Sequence, residues 1–252
     1  EQHLAKVPST PGDQSIGFAN GIEQLLRQTG VSPQAIDSIH HGTTVATNLI
    51  LEGKGATLAL ITNRGFRHVL EIGRHDIPRK ANMFSWIKPP RPVHPADIFE
   101  IAGRLDADGS EHEPLNDREL DGLVDELAAR KHTAVAICLL HAYANPDHER
   151  RVRERILATL PNTQISISSD ILPVFREYER SMATILNVYV LPEIVRYVSR
   201  LEERTTAIGV RAPILLMKSS GGITGSATIR REPIQTALSG PAAGVIGATR
   251  TA

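Results

Sequence analysis

The chain has 252 residues, 41% hydrophobic and 22% charged, and its 28 Lys and Arg are balanced by 28 Asp and Glu. This is the composition of an ordinary globular protein, and zero formal net charge argues against a nucleic-acid-binding surface. No apolar run reaches the ~18 residues of a membrane span. The single cysteine, Cys138, has no partner for an internal disulfide and sits in the apolar run TAVAICLL, as expected of a buried thiol in a reducing cytoplasm.

The first predicted element is a helix over residues 15–29. A turn, STPGDQ, precedes it; Phe18, Ile22, Leu25 and Leu26 share a face, and Gly30 is the expected C-terminal cap. IDSIHHGTT reads as a short strand running into a turn, and VATNLILEG as a short helix ending near Gly53. ATLALITN is a buried strand and GFRHVLEIG another short helix. This alternation indicates an α/β domain.

Residues 74–116 break the rhythm. RHDIPRKANMFSWIKPPRPVHPADIFE holds five prolines and little periodicity, the pattern of a surface excursion. A hairpin is expected around Asp108-Gly109, an exposed turn that lacks the terminal glutamate of a calcium loop. Asn116 and Glu119 then form a predicted capping box, with Leu120, Leu123, Val124 and Leu127 along one helix face. TAVAICLL is a buried strand. Asn145 caps the next helix, with Pro146 at its first position and Val152, Ile156 and Leu160 as its stripe.

QISISSDILP alternates as a strand should. A longer helix carries Met182, Ile185, Leu186 and Tyr189 on one face, and Pro192 is expected to kink or restart it before Val195, Val198 and Leu201. Its charged start, Arg176, Glu177, Glu179 and Arg180, reads as solvated. APILLMKSSGGI is the last clear strand and runs into Gly221-Gly222. The first residue is not Met, and the chain closes on GPAAGVIGATRTA with no helix stop. The expectation is a segment of a longer protein that is inactive by itself.

Five stretches could carry chemistry. His40 and His41 are adjacent, so on a strand they point to opposite faces and do not share a metal; His75-Asp76 is equally weak, and no metal site is expected. EGKGAT lacks the second half of a P-loop or dinucleotide fingerprint. Ser219 and Ser220 before Gly221-Gly222, and Ser239 before Gly240-Pro241, do not match a nucleophile elbow, although a strand ending in Ser-Ser-Gly-Gly offers hydroxyls and close backbone approach. The Gly-Thr-Thr turn after His41 aims hydroxyls and free N–H groups at one place, which suits an anionic or carbonyl oxygen; alternatively Thr43 or Thr44 caps the helix. The fifth is the charged start of the long helix.

Taken in order, KVPSTPGD, HGTTVATN, NRGFRHVLEIGR, AYANPDHE, REYERSMATILNVYV, SSGGI and LSGPAAGVIGA resemble the ATP-dependent hydantoinase A and 5-oxoprolinase family, which includes subunits of acetone and acetophenone carboxylases. The resemblance covers nearly the whole chain. It implies an α/β, ribonuclease-H-like fold of the actin, sugar-kinase and chaperone ATPase superfamily, here with an inserted α/β region. It implies an N-terminal region over 1–180 and the start of a core domain over 181–252. The implied chemistry is ATP-dependent phosphorylation of a carbonyl oxygen, followed by ring opening of a cyclic amide or, alternatively, by carboxylation of a ketone. As an isolated segment, the chain could instead act as a binding or assembly module. ATP and Mg2+ are the implied cofactors; the family's acidic, glycine-rich phosphate loops are not in these 252 residues. A B-type subunit and a second copy of the chain are the implied partners. The residues expected to line the cleft are His41, Thr43, Thr44 and Asn48, with Ser219, Ser220, Gly221 and Gly222 as a second edge and Gly240 and Pro241 shaping the approach.

Overall fold

The fold is given by a computed structural model, which describes residues 2–74, 78, 82, 84–87 and 91–251. His75, Asp76 and the Pro89-Pro90 pair of the proline-rich stretch lie outside the described residues. In chain order the elements are α1 (Gln14–Thr29), β1 (Ile39–His41), α2 (Val45–Leu51), β2 (Leu58–Asn63), α3 (Val69–Ile72), β3 (Ile98–Ile101), β4 (Arg104–Leu105), β5 (Glu111–Glu113), α4 (Asp117–Ala129), β6 (Ala134–Ile137), α5 (Asp147–Thr159), β7 (Gln164–Ile167), α6 (Ser168–Ile171), α7 (Glu177–Ala207), β8 (Ile214–Met217), β9 (Ile223–Gly225), α8 (Ser226–Ile229) and α9 (Ser239–Thr251). The chain divides into two compact units, Glu1–Glu52 with Val190–Ala252, and Gly53–Tyr189. No helix among the described residues is long and apolar enough to cross a membrane.

The Gly53–Tyr189 unit is built on a parallel sheet of order β3-β2-β6-β7. Every residue of β2 and β6 is buried, which is why both read as unbroken apolar runs rather than alternating ones. One core cluster joins Ile61, Val135 and Ile137 of these strands to Leu120, Leu123 and Leu127 of α4 and Val152 and Ile156 of α5. Asn116 caps α4 as expected, accepting from the Arg118 and Glu119 amides. Glu119 does not close a reciprocal box: its carboxylate accepts from the Ala102 amide at 3.0 Å and from Arg64 at 2.6 Å. The α5 helix starts one residue later than predicted, with Pro146 at the cap and the Asn145 side chain accepting from the Asp147 amide. The strand predicted over QISISSDILP stops at Ile167 and turns at once into α6. The β4–β5 hairpin turns at Asp108-Gly109, with Gly109 at φ +87°.

Two expectations for α7 are corrected. Its start is not solvated throughout, because Arg180 is fully buried. Nor does the helix restart at Pro192, one of the two alternatives: Glu177–Ala207 is one helix with the proline inside. A proline removes one N–H donor and crowds one carbonyl; buried neighbours at Val190, Leu191, Ile194 and Val198 hold the helix together on both sides.

The other unit carries the sheet β1-β8-β9, in which β1 and β8 are parallel and β8 and β9 form an antiparallel hairpin. Here α1 is capped by Asp13, whose carboxylate accepts from the Ser15 amide, and ends at Gly30 in the left-handed region, where glycine carries no Cβ penalty.

Candidate functional site

The parallel pairing of β1 and β8 sets His41 opposite Leu216, so both strands reach their carboxyl ends at the same edge. From β1 the chain passes through Gly42-Thr43-Thr44 into α2. From β8 it passes through Lys218-Ser219-Ser220-Gly221-Gly222 into β9. The segments predicted separately as the two edges of a cleft are therefore neighbours in one sheet.

The first turn of α9 meets the same place. A Cβ at Gly240 would lie 3.5 Å from the Thr44 methyl, and one at Gly42 would lie 3.7 Å from the Ala243 Cβ and 3.9 Å from the Met217 Cγ. Ser239, itself fully buried, donates from Oγ to the Thr43 carbonyl at 2.9 Å. The Leu238 amide donates to Thr47 Oγ1 at 2.8 Å. These two bonds hold Leu238 at φ +60°, a strained backbone for a residue with a Cβ. Pro241 is exposed in the first turn of α9, where its missing N–H leaves no intrahelical bond unmade.

Thr43 and Thr44 do different things. Thr43 is buried, and its Oγ1 accepts from the Val45 amide at 3.2 Å. Thr44 occupies the cap position of α2 without a side-chain cap bond and is exposed. Asn48 is exposed one turn later, its amide donating to the Thr44 carbonyl at 2.8 Å, so the two side chains share a helix face. The alternative that a threonine side chain caps α2 is thus met by Thr43 and leaves Thr44 spare.

The histidines part as strand geometry requires. His40 is exposed, 3.2 Å from Ser38 Oγ. His41 turns inward, its Nε2 2.6 Å from the Tyr197 hydroxyl and its ring edge-on to Phe18 at 4.7 Å. Burial pushes the His41 imidazole down to about 4, so at neutral pH it is uncharged and able to accept from the phenol. Burial raises Tyr197, opposed by a hydrogen bond with Thr43. His41 therefore stands behind the turn against Tyr197 and Phe18, rather than facing outward with Thr44. Among the described residues no group of three or more His, Cys, Asp or Glu side chains is placed to hold a metal.

The β8–β9 turn is rigid. The Lys218 amide donates to the Gly222 carbonyl at 2.7 Å, the Gly221 amide to the Lys218 carbonyl at 3.0 Å, and the Ser219 amide to the Gln235 carbonyl at 2.7 Å. Gly221 sits at φ +86°, a conformation that favours glycine. Ser219 and Ser220 are exposed. Sequence reading missed Tyr197, Thr47 and Lys218. Tyr197 lies in the apolar stripe of α7 and carries no signal of its own, whereas Lys218 stood inside MKSSGG and was passed over for the serines beside it.

Two family models cover the chain: the hydantoinase/oxoprolinase N-terminal region matches residues 1–160 and the hydantoinase/oxoprolinase model matches 180–252. Caprolactamase subunit alpha of Pseudomonas jessenii is 31% identical over 95% of this chain and 35% of its own. The acetophenone carboxylase gamma subunit of Aromatoleum aromaticum is 31% identical over 98% of this chain and 36% of its own. The crystal structure of the ATP-dependent caprolactamase from Pseudomonas jessenii superposes with a TM-score of 0.86 at 29% identity, over 96% of this chain and 36% of that one. The chain thus spans about a third of the length of these relatives.

Proposed function

Because the chain belongs to the hydantoinase/oxoprolinase family, we propose that it works within an enzyme that uses ATP to activate the carbonyl of a cyclic amide for ring opening. The observation that carries this reading is the meeting of the Gly42-Thr43-Thr44 turn, the Lys218–Gly222 turn and the start of α9 at one sheet edge. Phosphoryl transfer is chiefly positioning and charge neutralisation. Hydroxyls on rigid turns are suited to an oxyanion or a polarised carbonyl. In this reading Thr44 and Asn48 face the ligand, Ser219 and Ser220 form the opposite edge, and Gly221, Gly222, Gly240 and Pro241 keep side chains out of the approach. His41 and Thr43 set the turn from behind.

The donor set fits phosphate oxygens. When bound, ATP would supply the phosphoryl group that makes the amide oxygen a better leaving group. The segments at this edge carry no Asp or Glu, so in this reading the carboxylates that would hold Mg2+ against the phosphates come from elsewhere in the enzyme. The reading includes a ribonuclease-H-like core, a division between the 1–180 region and the 181–252 region, a cytoplasmic location and a B-type partner subunit. Support for a multisubunit assembly comes from relatives that are themselves named as subunits.

The test uses the full-length protein with its partner subunit. ATP-dependent ring opening of a hydantoin, 5-oxoproline or caprolactam is expected, with one ADP formed per ring. Bicarbonate-dependent carboxylation of acetone or acetophenone, with no lactam opened, would replace this reading by the ketone carboxylase one.

A further inference from the structure

The three segments that meet at the β1/β8 edge, residues 40–51, 214–222 and 238–249, contain no Asp or Glu and one Lys or Arg, Lys218. Arg200 and Arg204 of this unit pair with Asp13, and Arg230 pairs with Glu202. Lys218 makes no ion pair among the described residues, although its side chain is partly buried. A lysine of this kind lays its alkyl stem on the protein and leaves its ammonium free to meet an anion.

The place of the ammonium follows from Gly222. The Lys218 Cε lies 3.3 Å from where a Gly222 Cβ would be, so the stem is laid over that glycine and Nζ, one bond further, sits at the hairpin tip. The tip is fixed by the three backbone bonds already described. Ser219 and Ser220 stand beside it, and neither hydroxyl has a partner among the described residues. An ammonium without an ion-pair partner among the described residues and two spare hydroxyls on one hydrogen-bonded turn form a donor cluster of the kind that holds a carboxylate or a phosphoryl group.

We propose that Lys218 is a ligand-binding residue that holds an oxyanion at the β8–β9 turn, either the carboxylate of an acidic lactam or a phosphoryl oxygen of the nucleotide. The assignment rests on the cyclic-amide reading for the choice of ligands, but it is tested by binding alone. ATP, 5-oxoproline and uncharged caprolactam are each titrated calorimetrically, without turnover, into the full-length wild type and into Lys218→Gln, Lys218→Arg and Gly222→Ala.

Lys218→Gln should weaken one of the two anions by ~10-fold or more, the size of a charge-assisted hydrogen bond, and leave caprolactam within twofold. Lys218→Arg should recover most of the loss. Gly222→Ala, whose methyl would meet the end of the lysine stem, should give an intermediate loss with an unchanged circular dichroism spectrum. Loss confined to 5-oxoproline identifies a substrate carboxylate, and loss confined to ATP identifies a phosphoryl oxygen. The proposal is overturned if Lys218→Gln binds both anions within twofold of wild type, if caprolactam weakens equally, or if the wild type binds neither anion. Should no lactam be turned over while Lys218→Gln still loses an anion, the cyclic-amide reading fails and Lys218 stands. Turnover of a lactam with both anions unaffected gives the reverse.

Discussion

The β2/β6 edge and the β1/β8 edge both end parallel strands side by side, but they are finished in opposite ways. At β2/β6 the polar groups are turned inward. Asn63 is buried, donates to the Gly103 carbonyl and accepts from the Leu140 amide. Glu149 accepts from the Leu139 amide and Ser168 Oγ at 2.9 and 2.5 Å and from the Ser169 amide at 2.9 Å. Arg180 donates to the Leu139 carbonyl at 2.5 Å and lies over the Tyr143 ring. The cavity left between Thr62, Cys138 and Ser181 is about 10 Å3, room for a single water at most. At β1/β8 the hydroxyls of Thr44, Ser219 and Ser220 face outward and have no partner among the described residues.

Strand order alone would nominate the first of these edges, and the side chains argue for the second. In the order β3-β2-β6-β7 the connections leave in opposite directions on either side of the β2/β6 pair, and such a switch point is where open α/β sheets usually bind ligands. Here the protein's own side chains fill it. The β1/β8 edge, in a sheet of three short strands, leaves its hydroxyls exposed.

The largest test of the contrast is Glu149→Ala. It leaves two buried donors, the Leu139 amide and Ser168 Oγ, and the partly buried Ser169 amide without an acceptor. A loss of about 4 kcal/mol in unfolding free energy is expected, read from urea denaturation of the 252-residue chain at pH 7. A loss below about 1 kcal/mol would mean that water reaches this edge and that the contrast between the two is false.

The second test concerns what stands behind the open edge. The folded-state pKa of His41 is about 4, below its usual 6.5, so the unfolded state takes up its proton first as the pH falls. The stabilising contribution is complete above pH 6.5 and is lost on acidification from 6.5 towards 4. By linkage the loss at pH 5 is about 2 kcal/mol. His41→Gln should remove that share of the pH dependence while keeping the loss at lower pH from carboxylates such as Asp13, which its Ser15 and Arg204 hydrogen bonds hold below the usual range. Equal pH dependence between pH 7 and 5 in the two proteins would place His41 in water, on the open side with Thr44.

What the sequence made legible was local. The Gly30 and Asn116 caps, the Asp108-Gly109 turn, the short helix ending near Gly53 and the unbroken apolar strands β2 and β6 all depend on residues a few positions apart. What stayed hidden depended on partners far along the chain. Arg180 looks like any charged helix start until Leu139 and Tyr143 arrive around it, and Glu149 looks solvated in NPDHE until Ser168 and Ser169 close on it. At the candidate site the residue types were legible but their division of labour was not. HHGTT does not say that His41 and Thr43 point inward while Thr44 points outward; the Tyr197 hydroxyl and the Val45 amide decide that.

Thr44→Val is the smallest expected effect on stability and the sharpest probe of that division. The Thr44 side chain makes no cap bond to α2 and is exposed, so exchanging its hydroxyl for a methyl should shift unfolding free energy by less than about 0.5 kcal/mol. The same exchange at Thr43, which is buried, removes the acceptor of the Val45 amide, and should cost about 1–2 kcal/mol. In the full-length enzyme the order reverses in kind. Thr44→Val should lower kcat/KM for ATP-dependent ring opening by ~10-fold or more, as expected when a donor to a developing oxyanion is lost, with the fold intact. If turnover is unchanged while stability is also unchanged, Thr44 is an ordinary surface residue, and the open edge must be read from the Lys218 turn alone.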